Sequence, residues 1–348
     1  MNIRFDTISI FLNRTCPRGC LQCGISAASK PSMSLEDWKS TFENLHHRFS
    51  TRFFLVLGNE PLMMGDDLVE LVRWFKHHNL FYGFYSTSPE PLFSRYRQAL
   101  VDAGLNNWAC GIDTIPFSGL TDPITEAKAK DGLKGLIWMA DHGVQTFAVV
   151  TVRNDNLAIV PKILWTLHKE VPRIMTCINP VEWRHDDRFD FFADKERIKD
   201  LIIPHNRLDE VRAMVESVLV LTRECGMQIQ NPDTHLLEFA DYYEHLDYKC
   251  NGITGPAIDC DGSLRLCGYC KGDRCPKWNI KDINSEDAVI GFYMDWRWDA
   301  TRCAGCHWSY VHALQESFGT LIPGSHYFQD RHNIPIPKLP LPKREVSQ

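Results

Sequence analysis

Cys16, Cys20 and Cys23 stand within the eight residues CPRGCLQC, on what reads as one tight loop. Clustered thiols in a reducing compartment point to metal binding rather than to disulfides. A structural zinc site closes its shell with four ligands, and a catalytic one usually includes histidine or carboxylate. A cuboidal iron-sulfur cluster has four corners and normally takes four thiolates. Three cysteines therefore fit a cubane with one iron left open, and that iron is where a reaction would start. A zinc knuckle on an α/β protein is the alternative.

A second cysteine field lies far along the chain, at Cys250, Cys260, Cys267, Cys270, Cys275, Cys303 and Cys306. Inside it, GPAIDCDGSLRLC (255–267) reads as a hairpin with Asp261-Gly262 in a two-residue type I′ turn. That turn sets Cys260 opposite Ser263 and Cys267 opposite Pro256, the end nearer Cys250, which makes Cys267 the better partner for Cys250. A zinc-ribbon-like knot is the alternative for the field. The remaining three of the 13 cysteines, Cys110, Cys177 and Cys225, read as small buried hydrophobes.

The elements that must position these thiols alternate. A strand at 7–13 leads through the cysteine loop to a helix capped by Ser34 (LEDWKSTFENLHHRF), then to a strand at 52–59. The unit repeats: helix 67–78, strand 81–87, helix 92–103, strand 107–113, helix 126–142, strand 145–152, helix 157–170 and strand 173–179. About six such units predict a mostly parallel sheet with helical crossovers, closed or open, and sites at the carboxyl ends of its strands. The cysteine loop follows the first strand and so occupies that rim. Helices are expected at 207–225 and 235–246. The domains are read as a core at 1–205, connecting helices at 206–248, a small cysteine-rich domain at 249–320 and a proline-rich tail at 321–348.

At 348 residues, 44% hydrophobic and 24% charged, the composition is that of a folded globular protein. A net charge of −6 offers no support for a nucleic-acid partner without excluding one. No apolar run reaches the roughly 20 residues of a membrane span, and no signal peptide is recognisable, so a cytoplasmic protein with no membrane partner is expected.

The loop Cys16-Pro17-Arg18-Gly19-Cys20-Leu21-Gln22-Cys23 resembles the signature of the radical S-adenosylmethionine superfamily. The resemblance covers about residues 6 to 200 and implies a partial (β/α)6 TIM-like barrel. It also implies a [4Fe-4S] cluster on Cys16, Cys20 and Cys23, whose open iron chelates S-adenosylmethionine, and reductive cleavage to a 5′-deoxyadenosyl radical that takes a hydrogen atom from substrate. LGNEPLM resembles the family's Gly-Gly-Glu-Pro motif, implying cofactor contacts at Gly58, Asn59, Glu60 and Pro61, with Asn59 replacing the second glycine. Ser86 and Thr87 fall where the ribose and carboxylate are met. Asp113 matches a ribose or substrate contact, and Asn154 a polar residue facing the cofactor. Gln22 replaces an aromatic residue beside the adenine.

The C-terminal field resembles SPASM and twitch domains, small Cys-rich modules with auxiliary clusters. The resemblance implies an auxiliary [4Fe-4S] cluster on Cys250, Cys267, Cys303 and Cys306 and leaves Cys260, Cys270 and Cys275 without a role. A second auxiliary cluster would need a further ligand such as His307. The first strand begins near residue 6, leaving no room ahead of it for a leader-peptide domain. The expected substrate is thus a small molecule, a nucleotide-like compound or a peptide held otherwise, with Trp183, Arg184, His185 and Arg188 at the reactive rim. Flavodoxin or ferredoxin is the implied electron donor. Dehydrogenation, epimerisation, crosslinking and rearrangement all remain open, as does a metal-stabilised binding protein on the same fold.

Overall fold

The computed structural model describes residues 7–23, 32–51, 53–57, 59–116, 118–171, 173–181, 195–244, 256–265, 278–285, 287–292 and 295. The α/β alternation is as the sequence implies: β1 (Thr7–Ile10), α1 (Leu35–Phe49), β2 (Phe53–Val56), α2 (Asp66–His77), β3 (Phe81–Ser86), α3 (Leu92–Ala103), β4 (Asn107–Gly111), α4 (Pro123–Asp141), β5 (Gln145–Val152), α5 (Val160–Glu170) and β6 (Met175–Pro180). There follow α6 (Lys195–Ile198), α7 (Leu208–Glu224), β7 (Gln228–Ile229), α8 (Asp233–Leu237), α9 (Phe239–Glu244), β8 (Ala257–Ile258), β9 (Ser263–Arg265) and β10 (Trp278–Asn279). Among the described residues they form one sheet in the order β10-β9-β8-β1-β2-β3-β4-β5-β6-β7, parallel from β8 through β7 apart from the antiparallel β9 and β10. Among the described residues the two outermost strands, β10 and β7, do not pair, so the barrel is partial.

Alternation within the strands sorts their side chains. Phe54, Val56, Tyr82, Phe84, Trp108, Cys110, Ala148, Val150 and Ile178 face the helices and are buried, while Leu55, Tyr85, Val149 and Met175 on the opposite face stay partly open. An aromatic column joins helices to sheet, from Trp38 and Phe42 of α1 through Phe54 and Phe75 to Tyr82, with neighbouring centroids 4.8 to 5.7 Å apart. The α1 start is the expected one: Ser34 and Asp37 form a reciprocal capping box.

Helix α4 begins earlier than the expected start at 126. Asp122 accepts hydrogen bonds from the Ile124 and Thr125 amides and Pro123 takes the first helical position, a start at which proline loses nothing. The expected helix at 235–246 is two short ones, interrupted at Glu238. Cys110 and Cys177 are buried as expected, whereas Cys225 is exposed because it sits at the solvent-facing end of α7.

The hairpin is present, but with a different turn. Ala257 pairs with Arg265 and Ile258 with Leu264, so Asp259 faces Ser263 and the loop is three residues, Cys260 to Gly262. The Gly262 amide donates to the Asp259 carbonyl at 2.9 Å, and Gly262 alone in the loop takes a positive φ, +82°. A type I′ turn needs positive φ at two residues, which Asp261 does not adopt; its carboxylate instead accepts from the Ser263 amide at 2.9 Å. The expected pairing of Cys260 with Ser263 is therefore not formed, and Cys267 lies outside the described residues. So do Cys250, Cys270, Cys275, Cys303, Cys306, His307, the rim residues Trp183, Arg184, His185 and Arg188, and the tail. Among the described residues no helix is long and apolar enough to cross a membrane.

A buried ion triad fastens this hairpin beside the cysteine loop. Arg14 donates to both oxygens of Asp259, Nε to Oδ1 at 2.7 Å and Nη2 to Oδ2 at 2.5 Å, and Arg265 adds a bond to Oδ2 at 2.9 Å. Asp259 is 1% exposed. Removing one member of such a buried group leaves uncompensated charge, so Asp259→Ala should lower stability by about 3–5 kcal/mol in urea unfolding. A loss within the scatter of exposed-site substitutions would show the triad to be dispensable.

Candidate active site

The cysteine loop leaves β1 through Asn13, whose side chain works in two directions. Its Oδ1 accepts from the Thr15 amide at 3.0 Å, turning the chain, and its Nδ2 donates to the Glu60 carbonyl at 3.1 Å. The Glu60 amide in turn donates to the Thr15 carbonyl at 3.1 Å, so the loop is laced to the end of β2. Farther on, the Cys23 amide closes a turn onto the Cys20 carbonyl at 3.1 Å. Burial pushes the Cys16 thiol up to about 12, with Glu60, Cys23 and Cys20 adding negative field against an opposing backbone bond at Arg18. Among the described residues no three histidine, cysteine or carboxylate side chains gather round a single point as a lone metal ion requires.

Glu60, Ser86 and Thr87, singled out separately in the sequence, are one another's partners. Glu60 is fully buried. Its Oε1 accepts from Ser86 Oγ at 2.7 Å and from the Leu62 amide at 3.2 Å; its Oε2 accepts from the Thr87 amide at 2.7 Å and Thr87 Oγ1 at 2.8 Å. Burial raises the Glu60 pKa, and these four donors pull against it. Pro61 follows at the start of a single 3-10 turn and is buried. Asn59 has φ +60°, a left-handed conformation that asparagine tolerates better than other non-glycine residues, which accounts for the place glycine holds in the resembling motif. Both polar atoms of its amide are buried with no hydrogen-bond partner among the described residues. Gly58 lies outside the described residues.

Gln22 does not stand alone either. Its Nε2 donates to Asp113 Oδ2 at 2.9 Å and its Oε1 accepts from Arg153 Nη1 at 3.1 Å. Asp113 also accepts from Lys128 Nζ at 2.6 Å and, through Oδ1, from the Thr151 amide at 2.8 Å. Arg153 reaches Thr125 Oγ1 at 3.1 Å and makes a two-pronged pair with Asp155 at 3.0 and 2.8 Å. Asp113 and Arg153 are both 0% exposed. Burial alone would raise the Asp113 pKa, but the charges of Lys128 and Arg153 and its hydrogen bonds hold it below the usual carboxylate range. Asn154 faces elsewhere: it donates to the Asp200 carbonyl at 3.2 Å and accepts from Arg207 at 2.5 Å.

Lys128 and Arg153 were not among the residues picked out from the sequence. The signal for Lys128 was a lysine on the buried stripe of α4, Thr125, Lys128, Ala129, Gly132 and Leu136, where an apolar residue belongs. Space for it comes from Gly111, where a β-carbon would approach Lys128 Nζ to 2.8 Å.

This arrangement can be set beside known proteins. No family model and no curated protein matches the sequence. Solved structures do match in fold. SuiB from Streptococcus suis, bound to S-adenosylmethionine, has a TM-score of 0.60 at 11% identity over 84% of this chain and 66% of SuiB. Native anSMEcpe with bound AdoMet and Cp18Cys peptide has a TM-score of 0.56 at 13% identity, covering 90% of this chain and 96% of that one. The fold is that of the radical S-adenosylmethionine enzymes. This chain thus spans 66% of the length of SuiB. On the radical S-adenosylmethionine fold, the Cys16–Cys23 loop, the Glu60 knot and the Asp113 junction all lie at the carboxyl ends of β1 to β5.

The depressed Asp113 pKa fixes the sign of a pH effect. The unfolded carboxyl titrates near its ordinary value of 3.8 and the folded one below it, so between the two values only the unfolded state takes up the proton. The stability that Asp113 contributes should be complete above that value and fade as pH falls beneath it. In acid titrations of unfolding, the gap between wild type and Asp113→Asn should be widest near neutrality and narrow below pH 3.8. A gap that widens with acid would reverse the assignment.

Proposed function

We propose that this chain is a radical S-adenosylmethionine enzyme that carries an auxiliary [4Fe-4S] cluster and acts by hydrogen-atom abstraction. The observation that carries the proposal is the three-thiol loop at the carboxyl rim of this fold, clamped on a buried network and short of a fourth thiol. The donor set fits: Cys16, Cys20 and Cys23 would hold a [4Fe-4S] cluster, and the orphaned Asn59 amide offers a donor and an acceptor beside it. When bound, the cluster and S-adenosylmethionine supply a 5′-deoxyadenosyl radical by reductive carbon-sulfur cleavage, for abstraction of hydrogen from substrate.

The chain's own residues then bind and orient. Asn59 is proposed to reach the amino-acid end of the cofactor, because its amide is unmatched. Glu60 shapes the same wall, since its four acceptor positions are filled by Ser86, Thr87 and Leu62. Gln22 and Asp113 fix the loop on the nucleoside side, Pro61 sets the turn, and Gly58 completes the set; Asn154, bonded to Asp200 and Arg207, is left out of it. Cys250, Cys267, Cys303 and Cys306 are the proposed auxiliary ligands, on the resemblance of the C-terminal cysteine field to twitch domains.

A peptide is the favoured substrate class. It is supported by two neighbours of the fold: SuiB in a structure with precursor peptide SuiA, and anSMEcpe with Kp18Cys peptide. A ferredoxin or flavodoxin is the proposed reductant.

The test is anaerobic reconstitution followed by strong reductant and S-adenosylmethionine. The enzyme should form 5′-deoxyadenosine even without substrate and carry about eight irons per chain, for two cubanes of about four each. Cys16→Ala, Cys20→Ala and Cys23→Ala combined should abolish cleavage and leave about four irons. Cleavage that survives this triple change would refute the assignment of the cluster to these three cysteines, and bound zinc in place of iron with no cleavage would refute the proposal in favour of a metal-stabilised binding protein.

A further inference from the structure

The face of α4 that meets the cysteine loop is one stripe. Asp131 pairs with Arg18, Ile124 lies 3.8 Å from where a side chain on Gly19 would begin, and Lys128 between them donates at 2.6 Å to Asp113, which Gln22 of the loop also reaches, at 2.9 Å. Positions 124, 128 and 131 are spaced four and three apart, so they line up on one side of the helix. Residues 18 and 19 of the loop thus lie along a single helical surface, Gln22 joins it through Asp113, and the ammonium at its centre is buried. Burial alone would discharge Lys128, but the Asp113 carboxylate beside it holds it charged. Other charges close to the pair are Arg153, at 3.9 Å from Asp122 and 2.8 Å from Asp155. Arg153 is joined to Asp113 through Gln22.

We propose that Lys128 and Asp113 are positioning residues that set the reduction potential of the cluster on the Cys16–Cys20–Cys23 loop, by presenting a balanced pair of buried charges to it. The inference rests on the function proposed above. A cluster's potential follows the net charge around it and the hydrogen bonds to its sulfurs. Charges in a dry interior act over several ångströms with little screening. Removing the ammonium alone leaves the Asp113 carboxylate facing the thiolates, which disfavours adding an electron. Removing the carboxylate alone leaves the ammonium, which favours it. A residue that merely filled space would produce no such pair of opposite signs.

The experiment is an electron paramagnetic resonance redox titration of the reconstituted full chain, following the reduced signal that changes when S-adenosylmethionine is added. Lys128→Met should shift the midpoint potential of that signal lower, Asp113→Asn should shift it higher, and the double variant should return it close to wild type. Lys128→Arg should leave it nearly unchanged. If Lys128→Met does not fold, Lys128→Gln, which retains a donor toward Asp113, carries the same expected sign. Shifts in the same direction, or no shift in either single variant while the signal persists, would overturn the inference and leave the proposed function standing. A wild-type protein with no signal responsive to S-adenosylmethionine would remove both.

Discussion

The Asp113 carboxylate is the junction on which the rest of the site depends. Four elements meet there: the cysteine loop through Gln22, β4 through Asp113 itself, β5 through the Thr151 amide, and α4 through Lys128. A carboxylate with no exposure is tolerated only when its hydrogen-bonding positions are matched and opposite charge lies beside it. Lys128 at 2.6 Å and Arg153 beyond Gln22 meet that condition. The junction fixes where the loop sits because none of its partners can move without leaving a buried charge unmatched.

Two further anchors hold the same loop, each of a different kind. At its start, Asn13 and the Thr15–Glu60 backbone bond lace it to β2, whose own end is set by the Glu60 knot with Ser86 and Thr87. Behind it, Arg14 locks onto Asp259 of the hairpin while β8 extends the sheet beside β1, pairing Ser9 with Ala257 and Ile10 with Ile258. A loop with three thiols and no fourth cannot close a metal shell of its own, so its geometry has to come from outside. These polar anchors, made of groups buried at the strand ends, are that outside source. Their position follows from the parallel sheet, which brings the carboxyl ends of β1 to β5 to one rim.

Much of this was legible in the sequence, and the remainder has identifiable causes. The Ser34 cap, α3 and β5 fall where local patterns put them, because a capping box and an apolar strand run are decided by near neighbours. The three-thiol loop and the Glu60 motif were visible as residue types at fixed spacing. What was not visible was pairing across distance. Nothing local says that Gln22 meets Asp113, 91 residues away, or that Arg14 meets Asp259, 245 away. Lys128 was missed although it falls on the buried stripe of α4, because its partner Asp113 lies on another element. The hairpin turn was misread because Asp-Gly suits two turn types, and the choice between them was made by the register with β8 and by the Asp261 side chain. Cys225 was misplaced because a cysteine at a helix end has no core to join.

If Cys16, Cys20 and Cys23 hold a cubane with one iron free to bind S-adenosylmethionine, that iron can be told from the rest by Mössbauer spectroscopy of iron-57-enriched protein, with and without the cofactor. A single iron site should change its isomer shift and quadrupole splitting on addition while the other sites keep theirs. A spectrum that the cofactor leaves untouched, in protein carrying its full iron, would rule that arrangement out.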